Sequence, residues 1–455
     1  MDSFIINSIS ILALFCSFLL FKKASGSMRL TQLNMISRIF YVDLFLMAFI
    51  GAMLAVNNID NHYIINKVKS NDIRLKAWMT VLWTMIGFPL GIIFVDFLFS
   101  KKPKKRLFKE YIFSNLSTLI SSKDKALKQL LYFFSFLSFC SLIYTILILG
   151  KLPFLEAILG ADKTTLARFR IEATIGFSGN SLIKNIFGLS LSPILTYIAY
   201  SYYQLTNKNN DKIWFFTMLI ITFFMLTYHL EKSPFFLFLT GFLFNTVLIK
   251  GRITKKFIIL ILLLFFFGIT LFYSFFYSGN VADLYINYNT GITGRIILSQ
   301  ISSLFLMFQI FPNIRDHIGF DSLSRIISTD YKETAARQVM EVVKPEAIVE
   351  GTAGVMNTIF VGEAWANFGF LGVLIAPIYV GMIIGFLYLF FLKNKKTPVL
   401  TGLFTYFSYK SAIMGGFNTY IYNAGYLIIF IVFFLLWFIL YAAKDYHKDV
   451  SEQHE

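Results

Sequence analysis

The chain has 455 residues, of which 57% are hydrophobic, 18% aromatic and only 15% charged, with a mean hydropathy of +0.67. A soluble domain sits nearer half apolar and a quarter charged, so this composition excludes one and specifies an all-α polytopic membrane protein. The formal charge of +16 does not mark a nucleic-acid binder, because the basic residues fall in short clusters between apolar runs, as membrane topology signals do.

A helix needs roughly 20 apolar residues to cross the hydrocarbon core. In chain order, the runs near 4–21, 39–56, 77–99, 129–150, 185–203, 213–229, 234–249, 257–278, 366–392, 398–417 and 422–442 meet this, predicting about eleven transmembrane helices in a single integral membrane domain. The first run follows Asp2 with no basic residue and no small-residue cleavage site, which reads as a retained span. Cys16 and Cys140 lie inside apolar runs and imply packing as small hydrophobes, with no disulfide framework.

Basic clusters mark alternate loops: Lys22, Lys23 and Arg29; Lys101 to Lys109; Lys208 and Lys212; Lys250 to Lys256; Lys393 to Lys396. These loops are expected in the cytoplasm, with the N-terminus outside and the tail KDYHKDVSEQHE inside. Two larger external loops follow, 151–184 and 279–355, carrying Arg168, Arg170, Arg295, Arg315, Arg325 and Arg337 on the side where basic residues are normally depleted. Within the second, 296–311 is apolar enough for a twelfth, short span, but its pattern favours an amphipathic helix over 295–311 on the outer membrane surface. Ile297, Leu298, Ile301, Leu304, Phe305 and Phe308 fall on one face and Arg295, Ser299, Ser302 and Ser303 on the other.

No GxGxxG, GxxxxGK[ST], paired CxxC, HExxH or GxSxG motif occurs, and the histidines are scattered, so no cofactor and no metal is indicated. What remains for an external site is arginine, lysine, carboxylates and aromatics, a set suited to a lipid-linked diphosphate.

In LARFRIEATIGFSGNS, Arg168 and Arg170 share a face if the segment is extended and lie on nearly opposite faces if it is helical. They form either a phosphate clamp or a solvated pair touching headgroups. In TYHLEKSPFFLF, Ser233 and Pro234 read as the N-cap and first position of a helix, which holds His229, Glu231 and Lys232 at the membrane surface. Lys232 is there either to bind phosphate or to solubilise the turn. Arg295 opens a helix where the dipole does not favour a cation, so it either binds an anion or snorkels to headgroups. In NTIFVGEAWANFGFLGV, Glu363 and Asn367 lie one helical turn apart beside the small residues Gly362, Ala366 and Gly369. Glu363 either complements the helix start or has a partner or task that explains a carboxylate at the membrane rim.

The segments GEAWANFGFLGV, GRIILSQ…FQIFP and HLEKSPFFLFL, in a chain of this length and topology, resemble the bacterial oligosaccharide repeat-unit polymerases, the Wzy-type O-antigen or capsule polymerases. The likeness covers the last half of the chain, and the first half by hydropathy alone. It implies a metal-independent glycosyltransferase of the polytopic lipid-phospho-sugar class in the bacterial inner membrane. It also implies that a glycan moves from undecaprenyl diphosphate to a lipid-linked repeat unit on the outer face, with a chain-length regulator as a possible partner protein. The family's external arginines correspond by role to Arg168, Arg170 and Arg295, and less directly to Lys232 and Arg315. The chemistry calls for a base, for which Glu363 comes first and His229 second. Two other functions stay open at this point: an O-antigen ligase and a lipid-linked oligosaccharide flippase or other transporter.

Overall fold

The computed structural model describes residues 2–118, 121–152, 155–156, 159–173, 176–228, 232–274, 285–289, 291–323, 328–349, 353–423 and 427. Its helices are α1 (Ser3–Ser25), α2 (Met35–Val56), α3 (Asn71–Phe99), α4 (Lys104–Phe113), α5 (Ser121–Leu149), α6 (Lys163–Ala173), α7 (Leu191–Thr206), α8 (Asn209–Thr227), α9 (Lys232–Lys250), α10 (Lys255–Ser274), α11 (Gly291–Ile310), α12 (Ala335–Val343), α13 (Pro345–Val349), α14 (Val361–Lys393), α15 (Pro398–Lys410) and α16 (Asn418–Ile421). Among the described residues there is no β-strand, and seven helices are long and apolar enough to cross a membrane: Ser3–Gln32, Met35–Val56, Asn71–Phe99, Asp124–Leu149, Asn209–Thr227, Gly291–Ile310 and Val361–Lys393.

Six of these coincide with apolar runs read from the sequence. The run at 398–417 does not form a single span: α15 ends at Lys410 after 13 residues, about 20 Å of helix against a hydrocarbon core of about 30 Å. The run at 422–442 and the C-terminal tail lie outside the described residues, apart from the first two residues and 427. The seventh helix, α11, takes in the segment read as either a short span or an amphipathic surface helix. Ser302 and Ser303 are buried, as are Leu304, Phe305, Leu306, Met307 and Phe308, so protein covers both faces and only Arg295, near its start, is exposed.

The chain forms two compact units. The first comprises Met1–Phe113, Gly251–Asn394 and Ser408–Tyr422. Its most extensive helix pair is α3 with α14, and glycines explain why the two can approach: a Cβ at Gly91 would lie 2.1 Å from the Ile378 carbonyl oxygen, and one at Gly381 would lie 2.1 Å from that of Phe88. Gly87 and Gly385, one turn from each, face Pro377 and Ile92. Lipid tails are as apolar as leucine, so small residues that let backbones pack closely hold such helices together. Side-chain hydrogen bonds add to this, with Ser17 donating to the Met85 carbonyl at 2.8 Å and the Trp78 indole to Ser10 at 3.0 Å. Among the described residues, two ion pairs are buried in the unit, Arg38 with Asp43 at 3.1 Å and Arg74 with Asp60 at 2.8 Å.

The second unit comprises Ser114–Lys250 and Lys395–Phe407 with residues from Asn423. Here α7 packs on α8 through Thr196 and Thr222, whose hydroxyls are 2.8 Å apart, while the Tyr197 hydroxyl donates to the Phe238 carbonyl in α9. The Asn245 amide donates to the Thr405 hydroxyl at 3.0 Å, and Lys128 pairs with Asp211 at 2.9 Å. Lys396, between α14 and α15, is buried and donates to the Ser114 carbonyl at 2.7 Å.

Burial holds the Lys396 pKa down to about 8, against about 10.4 for a free lysine. Between those values the unfolded chain binds more protons than the folded one, so stability rises with pH across that window. The unfolding temperature in detergent is therefore expected to gain more between those two pH values in the wild-type protein than in Lys396→Met. Parallel pH curves for the two proteins would refute this.

Candidate functional site

Helix α14 is broken near its start. Gly369 takes φ 59° and ψ −139°, and a Cβ there would stand 3.0 Å from His317 Nε2, so a side chain is disfavoured by both backbone and space. The carbonyls freed by the break, Ala366 and Asn367, accept hydrogen bonds from the Ile318 and Gly319 N–H groups, each at 3.0 Å. The piece 361–368 is thus a short helix of its own, fixed by loop 317–319. Trp365, stacked on Phe308 and donating to the Phe311 carbonyl at 3.0 Å, pins its opposite side to α11.

Glu363 and Asn367 lie on this short helix and share a face, as their spacing predicts. Both are buried, at 4% and 2% exposure. Glu363 Oε2 accepts from the Asn418 N–H at 2.9 Å, and the carboxylate also accepts from the Phe417 N–H. The Asn367 amide donates to Asn418 Oδ1 at 2.8 Å, and the Asn418 amide donates to the Ser322 hydroxyl at 2.9 Å. Asn367 Oδ1 has no hydrogen-bond partner among the described residues. Beside the cluster a cavity of about 10 Å³, lined by Met307, Ala336, Asn357, Glu363, Gly415 and Gly416 among others, has room for about one water.

The partner of this short helix is the non-helical stretch 411–417, which follows α15. Irregular backbone inside a membrane protein is tolerated only where its polar groups are satisfied by protein or line a cavity. Two buried carboxylates do that here: Asp43 Oδ2 accepts the Ile413 N–H at 3.0 Å, and Glu363 accepts those of Phe417 and Asn418. The Phe360 N–H donates to the Ile413 carbonyl at 3.0 Å, and Ile359 pairs with Met414. Gly416 makes room for the carboxylate, since a Cβ there would be 2.5 Å from Glu363 Oε2. Asp43, an acid within an apolar run, is a site residue that sequence reasoning does not place in this cluster, and the Gly415–Gly416 pair lies in the loop it holds.

Of the other predicted residues of this unit, Arg295 and Arg315 do not join this cluster. Arg295 is exposed in a wide π turn, 295–299, and has no ion-pair partner among the described residues. Arg315 is exposed, 3.7 Å from Glu341. Arg168 and Arg170 belong to the second unit, on α6, and are exposed; the helix turns them to nearly opposite faces, so the extended-strand clamp is not formed. His229 and Glu231 lie outside the described residues, as does Arg325, and of Lys232 only its place as the first residue of α9 is described.

One pair had no counterpart in the sequence reading. His62 Nε2 is 3.0 Å from the hydroxyl of Ser299, one turn beyond Arg295. His62 is buried, its Nδ1 has no partner among the described residues, and burial lowers its pKa against the opposing pull of Asp60. Among the described residues, no group of three His, Cys, Asp or Glu could hold a metal ion.

The class these features define is an all-α polytopic membrane protein with a buried polar cluster at a broken helix. Comparison of the chain with protein families, with curated proteins and with solved structures gives no match.

Proposed function

We propose that the chain is an oligosaccharide repeat-unit polymerase, a glycosyltransferase of the bacterial inner membrane. It transfers a glycan from undecaprenyl diphosphate to a lipid-linked repeat unit. The observation that carries the reading is the almost fully buried Glu363, lining a cavity beside Gly415 and Gly416 with Asn367 one turn away. In this chemistry the acceptor hydroxyl oxygen attacks the anomeric carbon and the bond from that carbon to the diphosphate oxygen breaks. The bonding pair leaves with the diphosphate, and the hydroxyl proton passes to the Glu363 carboxylate. Arg295, exposed and without an ion-pair partner among the described residues, stabilises the charge that grows on the leaving diphosphate. Arg315, exposed on the same unit and 3.7 Å from Glu341, is a further contact to anionic substrate in this reading.

A second reading, transport of lipid-linked oligosaccharide, draws support from the helix break at Gly369 and the non-helical 411–417 stretch, because transporters build substrate sites from interrupted helices. Purified protein reconstituted with lipid-linked repeat units, without ATP or nucleotide sugar, separates the two. Elongated glycan on the carrier lipid is the expected result. Movement of unelongated units across the bilayer would favour transport instead. Gene disruption that strands long chains on the carrier, instead of leaving single repeat units, would replace the polymerase with a ligase.

A further inference from the structure

In the first unit a cleft of about 590 Å³ opens where the C-terminal ends of α1 and α3 meet the start of α4. Six lysines line it: Lys22 and Lys23 from α1, Lys101 and Lys102 from the turn, and Lys104 and Lys105 from α4. Asp96 is the one acid among the lining residues, and its Oδ1 is 2.5 Å from Lys104 Nζ. Lys102 pairs with Glu110 at 2.9 Å, which also engages Arg106. Lys22, Lys23, Lys101 and Lys105 have no ion-pair partner among the described residues, and Lys393 nearby donates to the Phe99 carbonyl.

Lysines at helix C-termini complement the dipole, and loop lysines set topology; either role is met by residues spread along a surface. Neither requires two segments some eighty residues apart in sequence to converge on one concavity. Nor does either require a lysine to be buried, as Lys104 is at 5% exposure, under the Tyr388 ring at 5.1 Å. The cleft's other wall is apolar and exposed: Phe97 is 81% and Leu19 47% accessible, continuous with Phe15, Phe94 and Leu98 on the outer faces of the same helices. A ring of cations closing the end of an apolar strip matches an acyl chain that ends in phosphate.

We infer that this cleft is a binding site for the phosphate headgroup of an anionic membrane phospholipid, with Lys22, Lys23, Lys101 and Lys105 as its ligands and Lys104 with Asp96 as its floor. The site is independent of the reaction proposed above.

The test uses the full-length protein in a mild detergent, with native mass spectrometry and thermal unfolding in added cardiolipin, phosphatidylglycerol or phosphatidylcholine. Discrete retained adducts and a raised unfolding temperature are expected with the two anionic lipids and not with phosphatidylcholine. The combined exposed-residue variant Lys22→Ala, Lys23→Ala, Lys101→Ala, Lys105→Ala is expected to weaken cardiolipin binding by at least about tenfold. Lys208→Ala with Lys212→Ala, in another basic loop, is expected to leave binding unchanged. Equal retention by the fourfold variant, or equal binding of phosphatidylcholine, overturns the site. Lipid retained against excess inorganic pyrophosphate supports a lipid ligand, whereas pyrophosphate binding with no lipid retained overturns that source.

Discussion

Glu363→Gln is expected to reduce the incorporation of lipid-linked repeat units by at least about 100-fold, the usual contribution of a positioned base, while the protein folds and purifies normally. Glutamine keeps an oxygen that can accept the Asn418 N–H, so the stability loss is limited to the difference between charged and neutral acceptors, about 1 kcal/mol. Glu363→Ala is expected to fail in a different way. It leaves the Phe417 and Asn418 N–H groups without their acceptor, at about 1–3 kcal/mol each, so the unfolding temperature falls as well as the rate. The pair separates the carboxylate's hold on the 411–417 stretch from its proposed role in accepting a proton. Full-rate elongation by Glu363→Gln would leave Glu363 with the structural role alone.

Asp43→Ala is expected to be strongly destabilising. Asp43 joins Arg38 at 3.1 Å to the Ile413 N–H at 3.0 Å, and all its surroundings are protein. Removing it strands a buried guanidinium, for which a loss of about 3–5 kcal/mol is usual, and frees an N–H group on the irregular stretch that Glu363 also holds. The double variant Arg38→Met, Asp43→Leu is expected to recover much of that loss, because no unpaired charge remains. Thermal unfolding of the two single variants and the double variant measures the coupling. If Asp43→Ala unfolds within a few degrees of the wild type, the ion pair is not what holds the 411–417 loop in place.

Much of the candidate site was legible one element at a time. The i, i+4 spacing of Glu363 and Asn367 put them on one face of a helix, and an acid before a long apolar run marked the position as unusual. Their partners were not legible, because Asn418 lies 51 residues from Asn367, and Asp43 reaches Ile413 across 370 residues. The pairing of Arg168 and Arg170 turned on one local question, helix or extended, which spacing alone left open and α6 answers.

By itself the sequence determined the class of the protein, because about 20 consecutive apolar residues can satisfy their backbone in a bilayer only as a helix or a closed barrel, and helical runs of that length recur along the chain. Only the tertiary structure decided which apolar faces meet protein. Lipid and protein interior are equally apolar, so hydropathy could not tell that Ser302 and Ser303 of α11 turn inward, or that α14 breaks at Gly369. Nor could it tell that the run after Pro398 leaves its helix at Lys410, since the acceptors that make the irregular stretch affordable, Asp43 and Glu363, come from distant parts of the chain.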